Sequence, residues 1–106
     1  MENERITVVI AQPNGPALVT TIPSTLEAAQ SVVGGYVEQF TAGDLLFWVN
    51  EDGKNNGMPF NRLVSARGMT HAIMGPILVT THDEEGDSAG LSEEQVARAL
   101  KILGGR

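Results

Sequence analysis

From Ile6 to Ala11, Ile6, Val8 and Ile10 alternate with Thr7, Val9 and Ala11, so both sides of the segment are apolar. That is the pattern of a strand covered on both faces. Pro13-Asn14-Gly15 follows as a tight turn, and the β-branched run Ala17 to Ile22 returns, which predicts a β-hairpin. After Pro23 the period changes. Ser24 stands three residues before Glu27, the spacing of a capping box, and Leu26, Ala29 and Val33 fall on one helical stripe. A short helix from about Thr25 to Val33 results, ended by Gly34-Gly35, where glycine takes a left-handed cap at no Cβ cost.

Two further strands are predicted at Tyr36 to Phe40 and Leu45 to Asn50, turning at Ala42-Gly43-Asp44. Glu51 to Gly57 has no apolar residue and reads as a loop. Asn61 to Ala66 reads as one helical turn, Met69 to Met74 fits neither period, and Ile77 to Thr81 reads as a last strand opened by Pro76. The final helix is the best specified. Ser92 and Gln95 form a capping box, Leu91 and Val96 a hydrophobic staple, and Val96, Ala99, Leu100 and Leu103 a buried stripe that stops at Gly104.

This order predicts an α+β fold, a mainly antiparallel sheet of about five strands with two helices packed on one face. One globular domain is expected over residues 1–106, with loose ends at about 1–4 and 104–106. Phe40, Phe47, Trp48, Met58, Met69 and Met74 are expected in the core. Phe47 and Trp48 face opposite sides of their strand, which would leave one of them on the uncovered face as a mark of self-association.

Composition narrows the chemistry. The chain has 106 residues, 42% of them hydrophobic, and no cysteine, which excludes a disulfide scaffold, a thiolate nucleophile and sulfur-ligated metal sites. With 13 acids against 7 Lys and Arg and a net charge of −6, duplex nucleic acid is not an expected partner. The charged start and the absence of any long apolar run point to a cytoplasmic protein without a membrane partner.

Several stretches resemble a known family: STLEAAQSVVGGYVEQF (Ser24 to Phe40), NEDGKNNGMPFNR (Asn50 to Arg62), GPILVT (Gly75 to Thr80) and GLSEEQ (Gly90 to Gln95). With the opening strand they span nearly the whole chain in the order of the domain-of-unknown-function 3846 family of small phage and mobile-element proteins. The chain departs from it in the short turn after the Tyr36 strand and in Trp48. The resemblance implies a single domain, a mobile-element setting, no established enzyme chemistry and no defined catalytic residue.

Candidate sites each carry a structural alternative. Gly34-Gly35 with Tyr36 offers close backbone approach and a stacking ring for a base, or simply a helix cap followed by a strand. Lys54, Asn55, Asn56, Asn61 and Arg62 gather donors and amides suited to anions and base edges, or form a solvated loop anchored by Pro59 and Phe60 with Arg62 fixing carbonyls. Arg67 and His71 extend this patch enough for one phosphate or carboxylate.

The acidic stretch from His82 to Asp87, with Glu93 and Glu94 beyond, suggests a metal site or mimicry of a nucleic acid, against a solvated turn before a helix. It lacks EF-hand spacing, and His71 and His82 lack zinc spacing. Catalysis would need a triad, which no motif supports, or convergence of Glu38, Asp44 and Asp52. No catalytic residue, metal or cofactor is therefore assigned. The expected function is a non-catalytic phage accessory protein that binds a host component through Tyr36, Lys54, Asn55, Asn56, Asn61, Arg62 and Arg67, for host takeover or counter-defence. The alternatives are a sponge for a nucleotide signal, which needs an enclosed pocket, and a self-assembling structural homo-oligomer.

Overall fold

The computed structural model describes residues 4–104. The looseness expected at the two ends falls mostly outside them; Glu4 is held by a hydrogen bond from the Ser24 N–H to its carbonyl.

Strands β1 (Arg5–Ala11) and β2 (Ala17–Pro23) form the first hairpin, and Asn14, at φ 66°, takes the left-handed position of its turn. Helix α1 (Leu26–Val33) follows. Its N-cap is Thr25, whose hydroxyl accepts from the Ala28 N–H, one residue later than the Ser24 box predicted. Gly34 closes it at φ 84° with its N–H on the Gln30 carbonyl. Strands β3 (Val37–Ala42) and β4 (Leu45–Asn50) make a second hairpin, turning at Gly43. Then come β5 (Phe60–Ala66), β6 (Met69–Met74), β7 (Ile77–His82), the two-residue β8 (Ser88–Ala89) and helix α2 (Glu93–Ile102).

The fold is α+β, with an antiparallel main sheet in the order β2-β1-β7-β4-β3. β8 pairs with Thr81 and His82 of β7 beyond the reach of β1. The central strands β4 and β7 are buried almost throughout, which their unbroken apolar runs require because both faces of the sheet are covered.

That double cover corrects the expected placement of the helices. Ala29 and Val33 of α1 pack with Val8, Leu46, Trp48 and Leu78 on one face, whereas Ala99 and Leu103 of α2 pack with Val9, Leu45, Phe47, Val49 and Val79 on the other. The apolar residues of β1, β4 and β7 on both faces of the sheet need cover on each side, so one helix lies on each face. Phe47 and Trp48 accordingly are both buried, one on each face, and neither marks an open surface.

The second correction lies between β4 and β7. Asn61 to Ala66 is a strand, not a helical turn, and pairs with Met69 to Met74 as a separate two-stranded sheet. Arg67 (φ 56°) and Gly68 (φ 76°) form its turn, with positive φ at both central positions matching the twist of the flanking strands. Val64 and Ile73 on its inner face join the α2-side core, so the hairpin and α2 together cover that face.

Candidate functional site

The residues singled out in the sequence divide into three places. Asn61 and Arg62 lie where the β5–β6 hairpin meets the β1–β2 turn and the end of α2. A bulge falls between Phe60 and Arg62, and the extra residue turns Asn61 inward. Its amide donates to the carbonyls of Ala11 and Gly75, both at 2.8 Å. The Arg62 guanidinium donates to the carbonyls of Leu103 at 2.7 Å and Gly15 at 2.6 Å, and to Asn61 Oδ1 at 2.6 Å. A cleft of about 630 Å³ opens beside them, but both side chains serve its walls by satisfying main-chain oxygens. Of the two readings of Arg62, the geometry is that of the one that fixes carbonyls.

Lys54, Asn55 and Asn56 follow the C-terminal end of β4, exposed on the turns of residues 51–57. Asn50 sets the base of this loop: buried, it donates its amide to the Val33 carbonyl at 3.1 Å and accepts from the Asp52 N–H at 2.8 Å. Gly53 packs against the Met74 carbonyl, where a methyl group would come within 2.6 Å. Tyr36 stands beside this loop, its carbonyl accepting from the Glu51 N–H and its side chain exposed. Gly34 and Gly35 lie against Met58 and the Asn50 amide, as a helix cap followed by a strand requires.

Between β3, this loop and β6 lies a polar cleft of about 240 Å³ that Lys54 shares with Glu38, Phe40, Thr70 and His71. The His71 ring stacks on Phe40 at a centroid distance of 4.4 Å, and Phe40 in turn on Phe47 at 5.1 Å. Arg67 sits apart at the hairpin tip, reaching Thr41 Oγ1 at 3.3 Å.

The acids considered for catalysis do not converge. Asp44 and Asp52 flank opposite ends of β4. Asp44 is engaged by Arg98 at 2.9 Å and by the Gln95 amide at 2.7 Å. These hydrogen bonds, with Arg98 first, hold its carboxyl down to about 2. In the acidic run, Asp83, Glu85 and Asp87 bring carboxylate oxygens within 4.8 Å of one another, all exposed. Asp83 Oδ1 accepts from the N–H groups of Glu85 and Asp87 and so closes the β7–β8 turn.

The sequence reading missed the outer face of the β5–β6 hairpin. Leu63, Ser65 and Thr70 lie opposite the buried Val64 and Ile73, and Leu63 is 60% exposed. The bulge also restores Phe60 to this side, across from Met74, so the ring expected to anchor the loop stands half exposed instead. Met69, expected in the core, is exposed at the tip. The charge pattern was a usable signal: from Gly53 to His82 the chain carries Lys54, Arg62 and Arg67 and no acid, in a protein of net charge −6.

These elements define a small α+β protein whose antiparallel sheet is covered by a helix on one face and by a helix and a basic, apolar-faced hairpin on the other. The chain belongs to the family known as a domain of unknown function (DUF3846), whose model matches residues 6–104. No curated protein and no solved structure matches it. Among the described residues, no helix is long and apolar enough to cross a membrane.

Proposed function

We propose that this protein is a non-catalytic accessory protein of a phage or mobile element that acts in the host cytoplasm by binding and modulating a host protein. The observation carrying this reading is the β5–β6 hairpin, which buries one face in the core and turns Phe60 and Leu63 out to solvent. An exposed apolar face with Arg67 at the hairpin tip and Lys54 in the cleft beside β6 suits a protein surface with an apolar centre and an acidic rim. The nucleotide-sponge reading has less support, since it relied on Asn61 and Arg62, which are turned toward main-chain oxygens of their own chain.

The hairpin is a rigid platform for this purpose. Its inner face is packed in the core, Asn61 and Arg62 fix its base and Arg67 ties its tip to Thr41, so binding requires little ordering of the surface. Immobilised wild-type protein should retain a specific host protein that Leu63→Asp retains at least tenfold less, with the far-ultraviolet circular dichroism unchanged. Equal retention by the variant would remove the hairpin from the reading.

A further inference from the structure

We propose that two copies of this chain pair through their β2 strands, edge to edge and antiparallel about a two-fold axis at Val19. The surface is separate from the hairpin face, so the proposal stands or falls independently of the functional reading above.

β2 ends the main sheet, and its outward main-chain groups follow from the β1–β2 register. The Ser24 N–H donates to the Glu4 carbonyl, which makes Glu4 and Ser24 a hydrogen-bonded pair. By alternation Ile6 with Ile22, Val8 with Thr20 and Ile10 with Leu18 are also hydrogen-bonded. The N–H and C=O of Ala17, Val19 and Thr21 therefore point away from β1. Two details agree. Pro23, which has no N–H, occupies the next outward position, and Arg5, on β1, reaches round the edge to donate to the Thr21 carbonyl at 2.8 Å.

An exposed strand edge of this length is a template for pairing that proteins ordinarily blunt with charge, proline or a bulge. Here the blunting is confined to one end of β2, where Pro23 closes the strand and the Arg5 guanidinium sits on Thr21, and Ala17 to Thr20 carry no charge, no proline and no bulge. The other end of the sheet differs: β3 carries Glu38, and the hairpin reaches its edge through the contact of Arg67 with Thr41.

The side chains point to an added strand. Leu18 is 61% exposed and Val19 50%. They lie on opposite faces of the sheet, Leu18 beside Ile10 on the α1 side and Val19 beside Val9 on the α2 side. A partner packed on either face would cover only one of them, whereas a strand added in the plane of the sheet flanks both.

The occupant that fits is a second copy. With net charge −6, two copies approach with least repulsion at the axis, where Leu18, Val19 and Thr20 are uncharged and the two Arg5 side chains stand at opposite ends of the paired segment. The two-fold sets Val19 against Val19 and Ala17 against Thr21, so β-branched side chains neighbour one another as sheet pairing favours. Arg5 occupies one lone pair of the Thr21 carbonyl and leaves the Val19 groups and the Thr21 N–H for the partner. Pairing joins the two main sheets into one continuous sheet.

Sedimentation equilibrium of the purified protein should give twice the 11.3 kDa chain mass at micromolar concentration. Val19→Pro removes an outward N–H without touching the β1–β2 ladder and should sediment as a monomer with an unchanged circular dichroism spectrum. Val19→Lys, which keeps the main chain intact and adds a charge at the axis, should also be monomeric and carries the test should the proline variant not fold. Leu63→Asp should remain a dimer. A monomeric wild type at 100 μM, a wild type whose β2 pairs only with a strand of another protein, or a Val19→Lys variant as dimeric as wild type would each overturn the proposal.

Discussion

The guanidinium of Arg62 donates to the carbonyl of Leu103 at 2.7 Å, tying the β5–β6 hairpin to the end of α2 across 41 residues of chain. The same group holds the Gly15 carbonyl in the β1–β2 turn, so three elements meet at one side chain. From sequence alone, Arg62→Ala would remove a ligand contact and leave stability within a degree or two. The structure gives a different expectation. Losing these charge-assisted bonds should cost about 2 kcal/mol or more, a fall of roughly 10 °C in Tm for a chain of this size. Arg62→Lys should not restore it, because lysine offers one nitrogen where the guanidinium uses three to reach Asn61, Leu103 and Gly15. Thermal melts of the three proteins check this; an unchanged midpoint in Arg62→Ala would contradict it.

Asp44 and Arg98 give the stability a signature in acid. The Asp44 carboxyl is held down to about 2 from its ordinary 3.8, chiefly by the Arg98 hydrogen bond and then by Gln95. A depressed folded pKa means that the contribution is complete above the unfolded value and is lost as the pH falls through about 2. Asp44→Asn should therefore be less stable than wild type at pH 7, and the gap should close toward pH 2 in denaturant titrations. A gap of equal size at both pH values would assign the loss to something other than ionisation.

Trp48 and Thr80 test the α1 side of the core. The indole N–H donates to Thr80 Oγ1 at 3.0 Å between buried side chains. Thr80→Val orphans that donor and should cost about 1–3 kcal/mol. Adding Trp48→Phe removes the donor as well, so the double variant should lose less than the sum of the single losses, measured by urea unfolding. Additive losses would show that the bond contributes nothing beyond packing.

Gly75 is fixed by two constraints at once, a φ of 89° and the approach of Met58, whose Sδ would lie 2.6 Å from an added methyl. Gly57 has a φ of 69° and open space around it. Gly75→Ala should then cost more than Gly57→Ala, for which left-handed strain alone predicts roughly 1–2 kcal/mol. Urea unfolding of the two variants compares them, and equal losses would mean that Met58 moves aside freely.

Much of the fold was legible in local pattern. The Ser92 and Gln95 capping box is present with both hydrogen bonds made, because a helix terminus is satisfied within four residues. The β5–β6 hairpin was not legible for a definite reason. Its bulge places Phe60 and Leu63 three residues apart on one side, a spacing that imitates a helical turn and hides the strand period. Asn61 and Arg62 misled similarly. Long polar side chains beside a loop look like recognition groups, and the carbonyls they satisfy, at Ala11, Gly15 and Leu103, are remote in sequence. The helices fell on opposite faces because apolar runs in β1, β4 and β7 demand cover on both sides, a requirement of the whole sheet rather than of any one segment.

The most direct test of the proposed binding function is native mass spectrometry of the tagged protein, purified gently from a bacterial host beside Leu63→Asp. The account predicts, beyond multiples of the chain's own 11.3 kDa, a stoichiometric increment of a second protein on the wild type that is absent from the variant. A retained mass of a few hundred daltons, or the same foreign-protein increment on both, would contradict it.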